Sequence, residues 1–233
     1  MISGLISGAA LLIDGDDTLW ENNVYFEAAI EAFLDYLRHS SLSRSQVRAT
    51  LDEIERLNSR AHGYGAAAFA RNLRETYERL AERKLRKDDL DYVLMLGQRI
   101  LKQDVKLLPG VAETLGYLAA RHRLLLVTKG DLEEQRLKIE RSGLAQQFET
   151  AVILREKDVD AYRDLIPAYR LDASQTWMIG NSPRSDINPA LAAGLQAVFI
   201  PHPHTWRLEH DVVPEDDSRL LRLNTFAELR AYF

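Results

Sequence analysis

The spacing of hydrophobic residues changes character twice along the chain. Residues 9–13, Ala-Ala-Leu-Leu-Ile, form a continuous apolar run that predicts a buried strand. From Glu21 to Asp104 the period becomes helical. Tyr25–His39 sets Phe26, Ala29, Ile30, Phe33, Leu34 and Leu37 on one face, and Ser45–Leu57, Ala67–Leu85 and Leu90–Leu101 predict three further amphipathic helices. From Pro109 onward strands and helices alternate. The pattern predicts helices over Val111–Arg121, Leu132–Arg141, Val159–Tyr169 and Asn188–Ala193, and strands over Arg123–Val127, Thr150–Leu154, Thr176–Ile179 and Ala197–Ile200. Such alternation predicts an α/β fold, a parallel sheet with helices on both faces. The expected organisation is a core of residues 1–20 and 105–233 interrupted by a helical insert over 21–104.

Composition narrows the function classes. The 233 residues carry 30 Lys and Arg against 35 Asp and Glu, a net charge of −5, so no general affinity for nucleic acid or an anionic membrane is expected. Without cysteine, the chain has no disulfide, zinc-thiolate site or thiol nucleophile. No apolar run reaches membrane-spanning length and no basic segment leads an apolar stretch at the N-terminus, which predicts a soluble cytoplasmic protein, monomer or homodimer.

Chemistry enters at the ends of the predicted strands, where open parallel sheets bind ligands. The first strand runs into Asp14, Gly15, Asp16, Asp17 and Thr18. Two carboxylates in one turn make a strongly negative pocket that calls for a cation, and Mg²⁺ suits hard oxygen donors. The same residues also suit an acidic turn that caps the next helix. Beyond Val127 come Thr128, Lys129 and Gly130, where a hydroxyl and backbone N–H groups suit anionic oxygens, as well as an ordinary turn. Lys157 follows the third strand as a compact positive charge able to bridge a carboxylate and a phosphate. The fourth strand leads into Gly180-Asn181-Ser182-Pro183-Arg184-Ser185-Asp186, a polar loop able to complete a metal site.

Together these residues resemble the haloacid dehalogenase (HAD) superfamily of hydrolases. The family's acid-x-acid-x-Thr motif matches Asp14 to Thr18, its strand-end Ser or Thr matches Thr128, its lysine matches Lys157, and its glycine with spaced acids matches Gly180 and Asp186. Asn181 stands where many members carry an acid, and an amide oxygen can still serve Mg²⁺. The resemblance implies a HAD-like Rossmannoid core with an inserted helical C1-type cap over 21–104. It implies a Mg²⁺-dependent phosphatase acting on a small phosphorylated substrate, with Asp14 as nucleophile and Asp16 as acid and base. Thr128 and Lys157 would hold phosphoryl oxygens, and Thr18, Lys129 and Gly130 would contribute to substrate binding. Asp14, Asp16 through its main-chain carbonyl, Asn181 and Asp186 would hold the metal. The negative charge of Asp14 and phosphate is expected to raise the proton affinity of Asp16.

Two other classes share the scaffold. Dehalogenases and phosphonate hydrolases resemble it but usually lack the second aspartate, and a non-catalytic phosphate-binding module would follow from loss of metal ligands at Asn181. Candidate specificity residues are Glu21, Asn22, Asn23 and Tyr25 at the start of the insert, and His62, Tyr64 and Arg71 within it. His202, His204 and Trp206 read as a loop past the last strand, flanking the site.

Overall fold

The computed structural model describes residues 6–233. It resolves two compact units, one formed by the chain up to Glu21 together with Val105–Phe233, the other by Asn22–Asp104.

The first unit is built on a six-stranded sheet in the order β3-β2-β1-β4-β5-β6, parallel throughout. Its strands are β1 (Ala10–Ile13), β2 (Arg123–Lys129), β3 (Thr150–Leu154), β4 (Thr176–Gly180), β5 (Gln196–Phe199) and β6 (Leu220–Arg222). Every residue of β1 is buried because the strand has a ladder on each side, Ile13 pairing Leu126 on β2 and Ile179 on β4. Alternate residues divide between two apolar layers. Leu11, Ile13, Leu124, Leu126, Trp177 and Ile179 pack on one face with Val111, Leu115, Leu118, Phe226 and Phe233. Leu12, Leu125, Val127 and Met178 pack on the other with Tyr162, Leu165 and Ala190. Burying each large aliphatic side chain contributes about 1.5–3 kcal/mol, and both layers converge on β1.

Strand order fixes the place of the site. β2 and β3 extend the sheet to one side of β1, and the chain then returns to lay β4 on the other. The C-terminal ends of β1 and β4 thus flank the point where the winding reverses, the usual ligand crevice of open α/β sheets. β6 falls outside the predicted alternation; at three residues it is too short to carry a period, and its pairing with β5 defines it.

The second unit consists of α1 (Asn23–Leu37), α2 (Arg44–His62), α3 (Ala66–Leu80) and α4 (Lys87–Gln98), followed by a 3₁₀ turn over Arg99–Lys102. Phe33, Leu34, Leu51, Phe69, Leu73, Tyr77, Val93 and Leu96 form its own core. A capping box starts α2, the Ser43 side chain accepting from the Gln46 N–H while the Gln46 side chain accepts from the Ser43 N–H. The helix runs past the expected Leu57 and stops at Gly63, where φ is +75°. α3 ends five residues before the expected Leu85. Beyond it Glu82 accepts hydrogen bonds from the N–H and hydroxyl of Ser40, which anchors the connection in a non-helical course. Gly97 permits the close approach of α4 to α3; a Cβ there would lie 2.6 Å from the Ala70 backbone.

The remaining helices of the first unit are α5 (Val111–Ala119), α6 (Leu132–Ser142), α7 (Val159–Ala168) and α8 (Asn188–Ala192), with a π-helical turn at Pro183–Ile187. Among the described residues, no helix is long and apolar enough to cross a membrane.

Candidate active site

The turn after β1 is a tight loop closed on itself. The Gly15 carbonyl accepts from Leu19 N–H at 2.8 Å, and Asp17 N–H donates to the Trp20 carbonyl at 2.7 Å. Asp17 takes a left-handed φ of +59°, a conformation aspartate tolerates. Gly15 is required by packing, since a Cβ there would meet the Trp20 ring at 2.7 Å.

Asp14 extends β1, its N–H donating to the Ile179 carbonyl at 3.0 Å. Its side chain meets Lys157, whose Nζ lies 2.5 Å from Asp14 Oδ1 and 2.8 Å from Asp186 Oδ1. All three residues are buried. Burial pushes the Asp14 carboxyl up, and the nearby Asp186 charge adds to this, against the lowering influence of Lys157. Burial works to lower the Lys157 ammonium, yet its two carboxylate partners outweigh it and hold the group above its ordinary value. Thr18 Oγ1 lies 3.0 Å from Asp14 Oδ2 and 3.2 Å from Asn181 Oδ1, within donating distance of either.

The loop after β4 folds back over its own strand. Ser182 N–H donates to Asp186 Oδ2 at 2.9 Å, and a Cβ on Gly180 would fall 2.2 Å from that oxygen. Glycine is therefore what lets Asp186 reach the strand end. Asn181 Nδ2 donates to Thr205 Oγ1 at 2.9 Å, which turns the amide oxygen toward Thr18. Tyr162 on α7 donates to the Ser185 carbonyl and ties this loop to the helix behind it.

Asp16 faces elsewhere. Trp20 Nε1 donates to its Oδ1 at 2.7 Å, Gln135 Nε2 to its Oδ2 at 2.9 Å, and Lys138 Nζ lies 3.1 and 2.9 Å from the two oxygens. The chain's own groups act against the rise expected from Asp14 and phosphate. Burial does push the carboxyl up, but the Lys138 charge and these donors outweigh it and hold the group below the usual carboxylate range.

At the end of β2, Thr128 is buried and donates to Gln135 Oε1 at 3.3 Å. Lys129 lies in a polar cross-link, with Glu209 at 2.7 Å, Ser185 at 2.8 Å and Glu156 at 3.1 Å from its Nζ. The expectation of an open N–H at Gly130 is corrected, because the β2–β3 ladder continues one residue further and Gly130 N–H donates to the Leu154 carbonyl at 3.2 Å. Lys129 and Gly130 frame the site through these bonds.

The structure thus brings Asp14, Thr18, Lys157, Asn181 and Asp186 together, and sets Asp16 with Gln135 and Lys138 beside Thr128. Gln135 and Lys138 escaped the sequence reading. Their signal was their spacing of three on one face of the helix that follows Thr128.

Among the described residues, the group whose acid and imidazole ligand atoms lie within 4.8 Å of one another is Asp17, Glu21 and His202. The His202 ring nitrogens stand 3.7 Å from Asp17 Oδ1 and 3.6 Å from Glu21 Oε2, which places that loop against the β1 turn. Of the other specificity candidates, Asn23 opens α1, Tyr25 donates to the Asp104 carbonyl, His62 ends α2, Tyr64 precedes α3 and Arg71 lies on it, all within the helical unit.

Sheet order, loop positions and strand-end acids define a Rossmann-like α/β protein of the HAD type. Residues 9–194 match the haloacid dehalogenase-like hydrolase family, and the chain belongs to it. It is similar over 97% of its length to a haloacid dehalogenase-like family hydrolase from Xanthomonas campestris, with 30% identity, 94% of that chain covered and a TM-score of 0.82. The HAD-hydrolase YfnB from Bacillus subtilis, in a magnesium-bound structure, shares the fold at 18% identity and a TM-score of 0.67, with 97% of this chain and 98% of that one covered. Pyrimidine 5'-nucleotidase YjjG from Escherichia coli (strain K12) is 29% identical over 99 residues, 40% of this chain; the match spans 44% of that relative's length.

Proposed function

We propose that this hydrolase is a Mg²⁺-dependent phosphomonoester hydrolase that works through an aspartyl phosphate on Asp14. The observation that carries the reading is the separation of two carboxylates two residues apart into different partnerships, Asp14 with Lys157 and Asp16 with Lys138. A reaction that needs a nucleophile and a separate proton carrier uses such a division. Departure of a halide, unlike that of an alkoxide, needs no proton from such a carrier.

The donor set fits the metal. Asp14 and Asp186 present two buried carboxylates to a single ammonium, with the Asn181 amide oxygen close by, a hard-oxygen environment that retains negative charge. Asp14, Asp186, Asn181 and the Asp16 main-chain carbonyl would hold the ion. The magnesium-bound structure of the Bacillus subtilis relative supports Mg²⁺ as the choice of ion. When bound, Mg²⁺ offsets the repulsion between carboxylate and phosphate.

In the first step an Asp14 oxygen forms a bond to phosphorus as the bond to the leaving alcohol oxygen breaks, and Asp16 gives that oxygen its proton. The incoming phosphate dianion works against Lys138 and favours the protonated form of Asp16. In the second step water attacks phosphorus, Asp16 takes its proton, and the bond to Asp14 breaks to release phosphate. Thr128 and Lys157 bind the equatorial oxygens as charge redistributes. Thr18 orients Asp14, while Lys129 and Gly130 hold the β2 end in register with the loops around it. We assign the helical insert over 21–104 as the C1-type cap that the resemblance implies.

The test is hydrolysis by the purified protein, with and without Mg²⁺, of a panel of nucleoside monophosphates, sugar phosphates and phosphoglycolate. Nucleotides join the panel because of the name of the Escherichia coli relative. Metal-dependent phosphate release that disappears in Asp14→Asn, with deamidation excluded by mass spectrometry, is expected. Halide release from 2-haloacids without phosphatase activity would establish the dehalogenase alternative.

A further inference from the structure

All the side-chain groups found bonded to Asp16 are hydrogen-bond donors: the indole N–H of Trp20, the amide NH₂ of Gln135 and the ammonium of Lys138. None of these atoms accepts a hydrogen bond, so a proton on Asp16 has no resting place among them and passes only to a group outside that shell. Two of the three come from α6, at positions 135 and 138 on one helical face, where Lys138 is also 3.6 Å from Glu134. The Gln135 amide works in two directions. Its nitrogen donates to Asp16 while its oxygen accepts from Thr128. Gly130 makes room for this side chain, since a Cβ there would lie 3.0 Å from Gln135 Nε2.

We propose that Gln135 and Lys138 are the positioning residues of the proton carrier: they hold Asp16 by both carboxylate oxygens, and Gln135 couples its placement to that of Thr128. This rests on the phosphohydrolase reading above. It adds that α6, rather than the β1 turn alone, decides where the leaving-group proton is delivered. A carboxylate on a short side chain has two free torsions, and an error of an ångström in its placement slows proton transfer sharply. Lys138 supplies the charge that fixes it, and Gln135 the direction.

The discriminating experiment compares aryl phosphates whose leaving phenolates differ in basicity, from 4-nitrophenyl to phenyl phosphate, at saturating Mg²⁺. A nitrophenolate departs without a proton, whereas a phenolate needs one. In Lys138→Met and Gln135→Met, kcat/KM, which reads the leaving-group step and not the hydrolysis of the common intermediate, should fall by about 100-fold for phenyl phosphate, in the range of general acid catalysis, with a loss under about tenfold for the nitrophenyl ester. Lys138→Arg should recover most of the phenyl phosphate kcat/KM. Circular dichroism and urea melts verify that the variants fold, and two variants at different positions guard against one that does not. Equal losses across the series, or no recovery by arginine, would overturn the inference while leaving the phosphohydrolase reading standing. Wild-type protein inert toward every phosphate ester would defeat that reading first, and the inference with it.

Discussion

Lys157 Nζ lies 2.5 Å from Asp14 Oδ1, although the two residues are 143 positions apart in the chain. One stands at the end of the central strand β1, the other in the loop after the edge strand β3, and the same ammonium reaches Asp186 beyond β4. A single buried cation thereby orders three strand ends. Its positive charge sits between two buried carboxylates and offsets part of their mutual repulsion.

Lys157→Met should lower kcat by about 10²–10³-fold, the usual cost of removing one preorganised donor at a reacting centre. It leaves Asp14 and Asp186 facing each other without their ammonium, so added Mg²⁺ should raise the melting temperature of the variant more than that of the wild type. Initial rates and thermal melts with and without Mg²⁺ measure both effects. A variant retaining full turnover would remove Lys157 from the reaction.

Asn181 supplies an amide oxygen turned toward Thr18 by its bond to Thr205. Asn181→Asp adds a charge at that oxygen, and the half-saturating Mg²⁺ concentration should fall by roughly threefold to tenfold, the gain of one further charged ligand set against repulsion from Asp14. Gly180→Ala should act in the opposite sense, because the new methyl group occupies the space of Asp186 Oδ2. Metal titrations of activity decide both. Unchanged Mg²⁺ dependence in Gly180→Ala would mean that Asp186 is no ligand.

Glu209 holds the loop after β5 to Lys129 at 2.7 Å and to Ser182 at 2.5 Å. Burial pushes its carboxyl up, but the Lys129 charge and these hydrogen bonds outweigh burial and hold it below its ordinary value of 4.5. A carboxyl depressed in the folded state binds more protons when unfolded, so its stabilisation is complete above pH 4.5 and disappears as pH falls through the lower folded value. Glu209→Gln should therefore cost about 1–3 kcal/mol at pH 7, less than a fully broken buried pair because Glu156 remains beside Lys129. The gap between wild type and variant should narrow below pH 4.5. Urea denaturation at pH 7, 4 and 3 measures this, and a gap independent of pH would contradict it.

The hydrophobic pattern made the α/β core and four helices of the insert legible, because a strand buried on both faces reads as a continuous apolar run and a helix with one buried face as a 3.6-residue period. β6 left none; a three-residue edge strand is specified by its neighbour β5. The strand-end residues Asp14, Thr128, Lys157 and Asp186 were legible for a related reason. Polar groups directly after buried strands have few places to go except the crevice at the sheet's C-terminal edge.

What the sequence determined by itself was therefore which residues arrive at that edge, since local patterning carries each strand to its end. Only the tertiary structure decided their pairing. The carboxyl of Asp16 sits beside Asp14 in sequence, yet α6 draws it to Lys138 and Gln135, residues 122 and 119 positions away. That choice acts against the rise in its proton affinity expected from Asp14 and phosphate. Lys129, which sequence placed among the substrate contacts, is held by Glu209, Ser185 and Glu156 from three separate loops. Electrostatic partnership falls steeply with distance and depends on burial, and in a folded chain both are fixed by contacts between elements remote in sequence.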